Sequence, residues 1–179
     1  MKLKSLCMAM VVMGLSTTFA YAADGTLKFE GTITSSTCKI QGQDTAEITV
    51  PMAGVSVADL QNTANGPDVG FDINMTGCEP GTYYLVLNGV TPAGQQDVLE
   101  LENPDEAETA KGVGIIITDM ANKKITLSNT LDYANDLNVV VNESGEGTFR
   151  LKAHYYAFNQ GTLSPGAADA VANFTVVQQ

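Results

Sequence analysis

The chain contains few of the side chains that catalysis and metal binding most often use. Its 179 residues include no tryptophan, three cysteines and a single histidine, His154. It has no nucleophile-elbow motif and no metal-ligand cluster, so it offers no catalytic triad and no zinc site. Basic residues are also scarce, since nine Lys and Arg stand against twenty Asp and Glu, a net charge of −11. This composition argues against an enzyme, a metal or other cofactor, and nucleic-acid or anionic-membrane binding.

Two other candidate sites have simpler interpretations. The acid-rich run from Asp97 to Glu108 lacks the ligand spacing of a calcium loop, which favours a solvated loop. His154 alternates onto the same strand face as Arg150 and Lys152, which favours an exposed strand position over a catalytic one. Paired carboxylates for glycoside hydrolysis stay open, because any two acids can meet in space, but no pair is singled out.

Long apolar runs are absent except near the N-terminus. Lys2 and Lys4 precede an apolar run over residues 6–15, and Ala20-Tyr21-Ala22 follows as a small-x-small cleavage site. Residues 1–22 are therefore predicted to be a signal peptide that is removed. The run is too short to span a membrane. Loss of Lys2 and Lys4 leaves seven basic against twenty acidic residues, a net charge of −13.

The cysteines predict one disulfide. Cys7 leaves with the signal peptide, and Cys38 and Cys78 remain as an even pair in an oxidising compartment. Closing a loop of that length contributes roughly 4 kcal/mol to stability in the chain-entropy model.

The remaining sequence predicts an all-β sandwich in one domain. Short segments of β-forming residues recur between polar turns, and the helix candidates are brief, at residues 56–61 and 105–110. Many short strands without a long helical period are typical of a sandwich. The predicted strands are residues 47–50, 69–75, 83–87, 113–118, 124–127, 137–141, 148–158 and 172–177.

A further strand is predicted just after the signal peptide. Leu27, Phe29, Gly31 and Ile33 fall on one face of an extended segment, with polar residues on the other. A glycine in such a row often marks a close approach of another backbone. The pattern alone leaves open whether this strand docks on its own domain or on a neighbouring molecule.

Several segments, taken in order, carry a resemblance to a known family. The chain resembles the structural subunits (pilins) of chaperone–usher fimbriae of Gram-negative bacteria, particularly the type 1-like major subunits. The segments, together with Cys38, are residues 25–33 (GTLKFEGTI), 69–78 (VGFDINMTGC), 113–119 (VGIIITD), 149–157 (FRLKAHYYA) and 165–170 (PGAADA) running into Phe174.

The resemblance implies an incomplete immunoglobulin-like β-sandwich that lacks its last strand. In this family the N-terminal extension of a neighbouring subunit supplies that strand, after a periplasmic chaperone has lent one and an outer-membrane usher has driven the exchange. Residues 23–35 are then the donor-strand extension and residues 36–179 the pilin domain. An added strand provides both ladder hydrogen bonds and side chains for the open groove.

The resemblance also gives roles to individual residues. Leu27, Phe29 and Ile33 would enter the groove of the neighbour, and Gly31 would lie where a side chain meets the groove floor. The C-terminal strand, with Phe174, Val176 and Gln178, would border the groove and pair with the chaperone. Gln178 departs from the family, which usually has an aromatic residue, most often Tyr, at that next-to-last position.

The sequence thus predicts a surface polymer subunit. It would be exported through the periplasm and joined head to tail to copies of itself or related subunits in a fimbria, supporting cell adhesion. The alternatives are a minor (adaptor or terminator) subunit, which shares the fold, and a self-contained secreted carbohydrate-binding sandwich. The chain has no room for the extra lectin domain of a tip adhesin. Binding of a host receptor along the fibre stays open, through exposed loops such as residues 88–96, although no single residue points to it.

Overall fold

The computed structural model describes residues 38–43 and 46–179. The predicted signal peptide and the predicted donor-strand residues Leu27, Phe29, Gly31 and Ile33 lie outside this range. Within it, the strands are β1 (Lys39–Ile40), β2 (Val69–Thr76), β3 (Gly81–Asn88), β4 (Gly114–Asp119), β5 (Leu137–Val141), β6 (Gly147–Tyr156) and β7 (Asn173–Gln178).

These strands form two sheets in which every pairing is antiparallel. The first sheet has the order β1-β2-β6-β4, and the second has the order β5-β3-β7. Six of the predicted strands are confirmed, with small shifts at their ends. The fold is therefore the predicted β-sandwich.

The core lies between the sheets because their strands alternate apolar and polar residues. Ile73 of β2 and Phe149 of β6 point inward from the four-stranded sheet, and Leu85 points inward from the three-stranded sheet. All three are almost fully buried. The outer face of the four-stranded sheet is charged, with Asp72 opposite Arg150, as the period of a half-buried strand requires.

Helix is confined to short pieces in the described residues. The helix α1 (Val57–Thr63) begins at Ser56, whose hydroxyl oxygen accepts a hydrogen bond from the Asp59 backbone N–H at 3.1 Å. This N-cap confirms the helix predicted at residues 56–61. A 3-10 turn covers Gln160–Thr162. Within residues 38–43 and 46–179, no helix has the length and apolar character needed to cross a membrane.

Three predicted elements are wrong. Residues 105–110 form turns rather than a helix, and residues 47–50 form no ladder although Ile48 packs on the core. Residues 124–127 change partner between the sheets, since Lys124 bridges to Thr118 while Leu127 bridges to Leu87. A segment that crosses from one sheet to the other cannot form a continuous ladder with either.

The predicted exposure of His154 is also wrong. Its side chain is only 13% exposed, and its Nδ1 atom lies 3.0 Å from Oδ1 of Asp68. Lys152 on the same strand places its Nζ atom 3.1 Å from Oδ2 of Asp68. The segment before β2 therefore covers the outer face of β6 and groups these three side chains.

The predicted disulfide is confirmed. Cys38 and Cys78 are bonded, with Cα atoms 4.1 Å apart, and they are 40 positions apart in sequence. Cys78 lies in the turn between β2 and β3, so the bond links the strand β1 to the turn that joins the two sheets.

Loss of this bond should destabilise the subunit. Cys78→Ser should lower the free energy of unfolding by roughly 2–5 kcal/mol, because the unfolded chain regains the freedom of the closed loop. The yield of folded subunit and the urea midpoint measure the effect. Cys38→Ser and the double variant are matched controls that remove the same bond, so all three should behave alike, and an unchanged midpoint would contradict the stabilising role.

The contact between Asp68 and Lys152 should make the free energy of unfolding depend on pH. The Lys152 hydrogen bond lowers the pKa of Asp68 below its ordinary 3.8. As pH falls, the Asp68 carboxylate therefore takes up a proton more readily in the unfolded chain than in the folded one. The stabilisation from the contact is complete above the pKa of the unfolded chain and is lost as pH falls through the lower pKa of the folded chain. We expect Asp68→Asn to cost less than about 1 kcal/mol near neutral pH, because the pair is partly exposed.

Urea midpoints at about pH 7 and about pH 3, on either side of the ordinary carboxyl pKa, measure this prediction. The difference between wild type and Asp68→Asn should shrink at the lower pH. In a Lys152→Met background the same substitution should lose most of its pH dependence. If Asp68→Asn lowered the urea midpoint equally at both pH values, the predicted pH dependence of the Asp68–Lys152 contact would be contradicted.

Candidate functional site

The C-terminal strand β7 has an unpaired edge. It pairs with β3 through six residue pairs from Asn88–Asn173 to Tyr83–Gln178. Among the residues that the structure describes, no strand pairs with its other edge. An edge of free N–H and C=O groups is a template for another strand, and proteins normally cover or blunt such edges.

Burial falls across the sheet toward this edge. Leu85 and Leu87 on β3 are 0% and 4% exposed, whereas Val176 and Phe174 opposite them on β7 are only half-buried. Both β7 side chains still pack against the core cluster. The hydrophobic core therefore extends to β7, but the side chains of Phe174 and Val176 remain partly exposed to solvent there.

The apolar row extends beyond the strand itself. Ala168, Ala170 and Ala172 continue the alternation of Phe174 and Val176, and all five are partly buried against the core cluster. At about 3.3 Å per residue, the row is roughly 26 Å long. We call these five residues the apolar row. Its N-terminal part is shallow, because alanine has little side chain.

Three hydrogen bonds and one close backbone approach fix the start of the apolar row. Ala167 exchanges backbone hydrogen bonds of 2.7 and 2.9 Å with Glu108 and Ala110, and a Cβ atom on Gly166 would lie 2.4 Å from the Glu108 carbonyl oxygen. Only glycine allows this approach. The Tyr155 hydroxyl donates to the Ala168 carbonyl at 3.0 Å, and burial raises the pKa of Tyr155, which keeps this donor protonated.

Gln178 lies at the other end of β7. It pairs with Tyr83, is exposed, and its side-chain Nε2 is 3.5 Å from the Pro80 carbonyl oxygen. Its side chain covers Gly81, where a Cβ atom would lie 2.8 Å from the same nitrogen. A polar side chain therefore follows Phe174 and Val176 in the alternation of β7.

Phe174, Val176 and Gln178 thus share the strand β7, and their predicted role at a groove edge stays a prediction. The sequence prediction missed Ala168, Ala170 and Ala172. Their signal was present as the period-2 alternation of residues 168–176, but alanine in a turn-rich stretch carries little strand preference.

The other candidate site, the acidic loop, is held by lysines. The Lys111 ammonium group donates to the carbonyl oxygens of Pro104 and, at 2.6 Å, Glu106. Lys124 lies 2.7 Å from the Asp97 carboxylate. Within residues 38–43 and 46–179, no three His, Cys, Asp or Glu side chains are grouped to hold a metal ion.

The chain matches a known protein family over most of its length. Residues 27–179 match the family model described as fimbrial protein. The chain belongs to the fimbrial protein family. It is 31% identical to a type-1 fimbrial protein subunit of Serratia marcescens, with 98% of each chain aligned. It is also 31% identical to the type-1 fimbrial protein A chain of Escherichia coli K12, with both chains covered completely.

Solved structures show the same fold. The P pilus rod subunit PapA superposes with a TM-score of 0.64 at 20% identity, covering 79% of this chain and 99% of PapA. A subunit of a chaperone–usher pilus also gives 0.64 at 20% identity, covering 88% and 96%. The fold is therefore an incomplete immunoglobulin-like sandwich that lacks a strand. The fimbrial chain is a polymerising structural subunit rather than an enzyme, and fimbriae are surface structures.

Proposed function

We propose that the unpaired edge of β7 and its apolar row accept the N-terminal extension of a neighbouring fimbrial subunit. The half-buried state of Phe174 and Val176 supports this most directly, because one more strand beside β7 would bury both and satisfy the free edge. Repeated along a chain of subunits, one strand per contact gives an open head-to-tail filament.

The donor segment proposed for this edge is residues 23–35. Leu27, Phe29 and Ile33 supply apolar side chains at alternate positions, and Gly31 supplies a gap in the same row. The six residue steps from Leu27 to Ile33 span roughly 20 Å, shorter than the apolar row. Burying three large apolar side chains contributes roughly 5–8 kcal/mol before ordering costs. The added ladder hydrogen bonds and the exclusion of water should make the contact long-lived.

A bare edge of this kind also needs protection before assembly. We propose that the subunit is secreted with residues 1–22 as its signal peptide, and that a periplasmic chaperone covers β7 until an outer-membrane usher exchanges it for the donor segment. Gln178 would then meet the chaperone where other family members present an aromatic ring. This route follows from the hazard of an exposed strand edge and from strand addition as a mode of recognition.

The donor side is tested by Gly31→Leu. A leucine in the buried row should clash with the groove floor and abolish polymerisation, while the folded, chaperone-bound subunit persists. The measurement is an SDS gel of surface protein, unheated against heated, in which the wild type should give a ladder that collapses to one band on heating. Deletion of residues 24–34 should also remove the ladder.

Thr32→Leu is the matched control for this test. It introduces the same side chain one residue away, on the outward row, and should leave the ladder intact. Normal fibre yield from Gly31→Leu would refute the donor role. A single monomer band from the wild type, together with normal folding of the deletion variant, would favour a self-contained binding module.

The acceptor side is tested by Phe174→Ala. The substitution removes the largest side chain of the apolar row, and once the groove is filled the loss should approach the roughly 3–5 kcal/mol typical of a buried Phe. The ladder should therefore collapse at a lower temperature than in the wild type. Val171→Ala is the control, because Val171 is 60% exposed and outside the row. Equal collapse temperatures for all three proteins would contradict the acceptor role.

A further inference from the structure

Two further unpaired strand edges lie on the side of the sandwich away from β7. Strand β4 ends at Asp119, opposite Leu151, so residues 147–150 at the start of β6 are paired with β2 alone. Strand β5 is likewise paired with β3 alone. Within the part of the chain that the structure describes, no strand or isolated bridge pairs with the other edge of either segment.

The start of β6 presents free backbone groups along its unpaired edge. Asn74 of β2 lies opposite Thr148, but its carbonyl oxygen accepts from the Gln41 N–H on its other side, at 2.8 Å. Thr148 therefore exchanges no ladder hydrogen bond with β2, because such bonds alternate along an antiparallel pair. Arg150, two residues further on, points its N–H and C=O groups the same way.

Strand β5 presents free backbone groups for the same reason. Thr82 of β3 lies opposite Val140, but its carbonyl oxygen accepts from the Gln179 N–H at 2.9 Å, on the side of β7. The N–H and C=O groups of Val140 therefore face the outer edge of β5, and its side chain is 70% exposed. Free groups along such an edge are a template for another strand.

The two edges border an open cleft of about 590 Å³, between the turn after β4, strand β5 and residues 146–150. We call this space the edge cleft. Leu137 and Val139 of its lining are half-buried and pack against the core, and Met120 is 60% exposed. The volume is in the range of ligand-binding clefts, roughly 300–1,000 Å³. The edge cleft therefore combines free backbone groups with apolar side chains.

The charged side chains of the edge cleft leave it with a net negative charge. The Arg150 guanidinium and the Glu146 carboxylate form no ion pair within residues 38–43 and 46–179. Asp119 also lines the cleft, and its Oδ1 accepts from the backbone N–H groups of Ala121 and Lys123 at 2.8 and 2.9 Å. Two carboxylates thus stand against one guanidinium, in a chain of net charge −11. Such a site attracts cations and repels anions.

We infer that the edge cleft binds an extended, basic segment of a partner protein by strand addition. Backbone hydrogen bonds to a free edge give affinity in this mode, and alternate side chains give specificity. Apolar side chains of the segment would pack on Leu137 and Val139, and a Lys or Arg between them would approach Glu146. The Arg150 guanidinium would donate to a carbonyl oxygen of the segment. Acidic glycans and anionic lipids are disfavoured by the charge of the chain.

This site goes beyond the proposed assembly and does not compete with it. Strands β5 and β7 are opposite edges of the three-stranded sheet, with β3 between them. A donor strand beside β7 therefore leaves the edge cleft open, and a fibre carries one such cleft on every subunit. Weak sites repeated along a fibre gain affinity for a partner that engages several at once.

The test measures binding of a synthetic peptide to fibres assembled on the cell surface from the full chain. The probe is a fluorescent seven-residue peptide that alternates lysine and valine. One control peptide alternates glutamate and valine, and another repeats the lysine–valine sequence with N-methyl groups that remove its backbone donors. Fluorescence anisotropy measures the affinity, and sedimentation with the fibres measures the number of probes bound per subunit.

We expect the lysine–valine probe to bind at about one per subunit, and more weakly as salt rises, because screening reduces the attraction of exposed charges. The N-methylated probe should bind at least about tenfold more weakly, because it cannot complete the ladder hydrogen bonds. The glutamate–valine probe should also bind at least about tenfold more weakly, because like charges repel.

Glu146→Gln should weaken binding of the lysine–valine probe about two- to fivefold, the effect of losing a partly exposed ion pair. Glu143→Gln is the matched control, because Glu143 lies in the same turn between β5 and β6 but outside the cleft lining. It should bind the probe as the wild type does. Both glutamates are exposed, so both variants should fold and assemble.

Equal affinity of wild-type and Glu146→Gln fibres would overturn the assignment of the basic segment to the edge cleft. Equal affinity of the N-methylated probe would overturn strand addition. One probe per fibre, or binding lost in Phe174→Ala but kept in Glu146→Gln, would place the probe at β7 instead. Preference for the glutamate–valine probe, lost in Arg150→Gln, would assign an anionic ligand. Fibres that bind no probe would overturn the inference and leave the donor-strand proposal standing.

Discussion

The unpaired edge of β7 is the constraint on which this fimbrial subunit depends. The strand has hydrogen-bond partners along β3, and within the described residues nothing pairs with its other side. Beside that edge the core stays half open at Phe174 and Val176. In the assembly proposed above, one more strand would complete this edge, so the incompleteness that would be a hazard in a solitary domain would serve as the means of assembly.

The rest of the sandwich keeps this edge in place. The disulfide joins Cys38 to the turn that leads into β3, and β3 in turn carries β7. The Gly166 contact and the Tyr155 hydrogen bond hold the alanines of the apolar row against the core. In the proposed assembly, these contacts hold the apolar row in place before a donor strand docks, which reduces the ordering cost of docking.

Charge divides the molecule into surfaces with different uses. The acidic loops and the charged outer face of the four-stranded sheet contrast with the three-stranded sheet, whose strands contain no charged residue. Surfaces of like charge repel one another, which limits random aggregation of a subunit that has to polymerise.

The sequence alone determined what depends on local pattern. Alternation predicted β2, β6 and β7 with their inward faces, the even pair of cysteines predicted the disulfide, and ordered motifs indicated the family. Tertiary structure decided the features that need distant partners. Residues 124–127 form bridges to both sheets. The Asp68 carboxylate lies against the His154 side chain. The three strands without charged residues lie side by side in one sheet. Period-2 patterns report which side of a strand is buried, but only packing determines which strands lie side by side and which edge remains open.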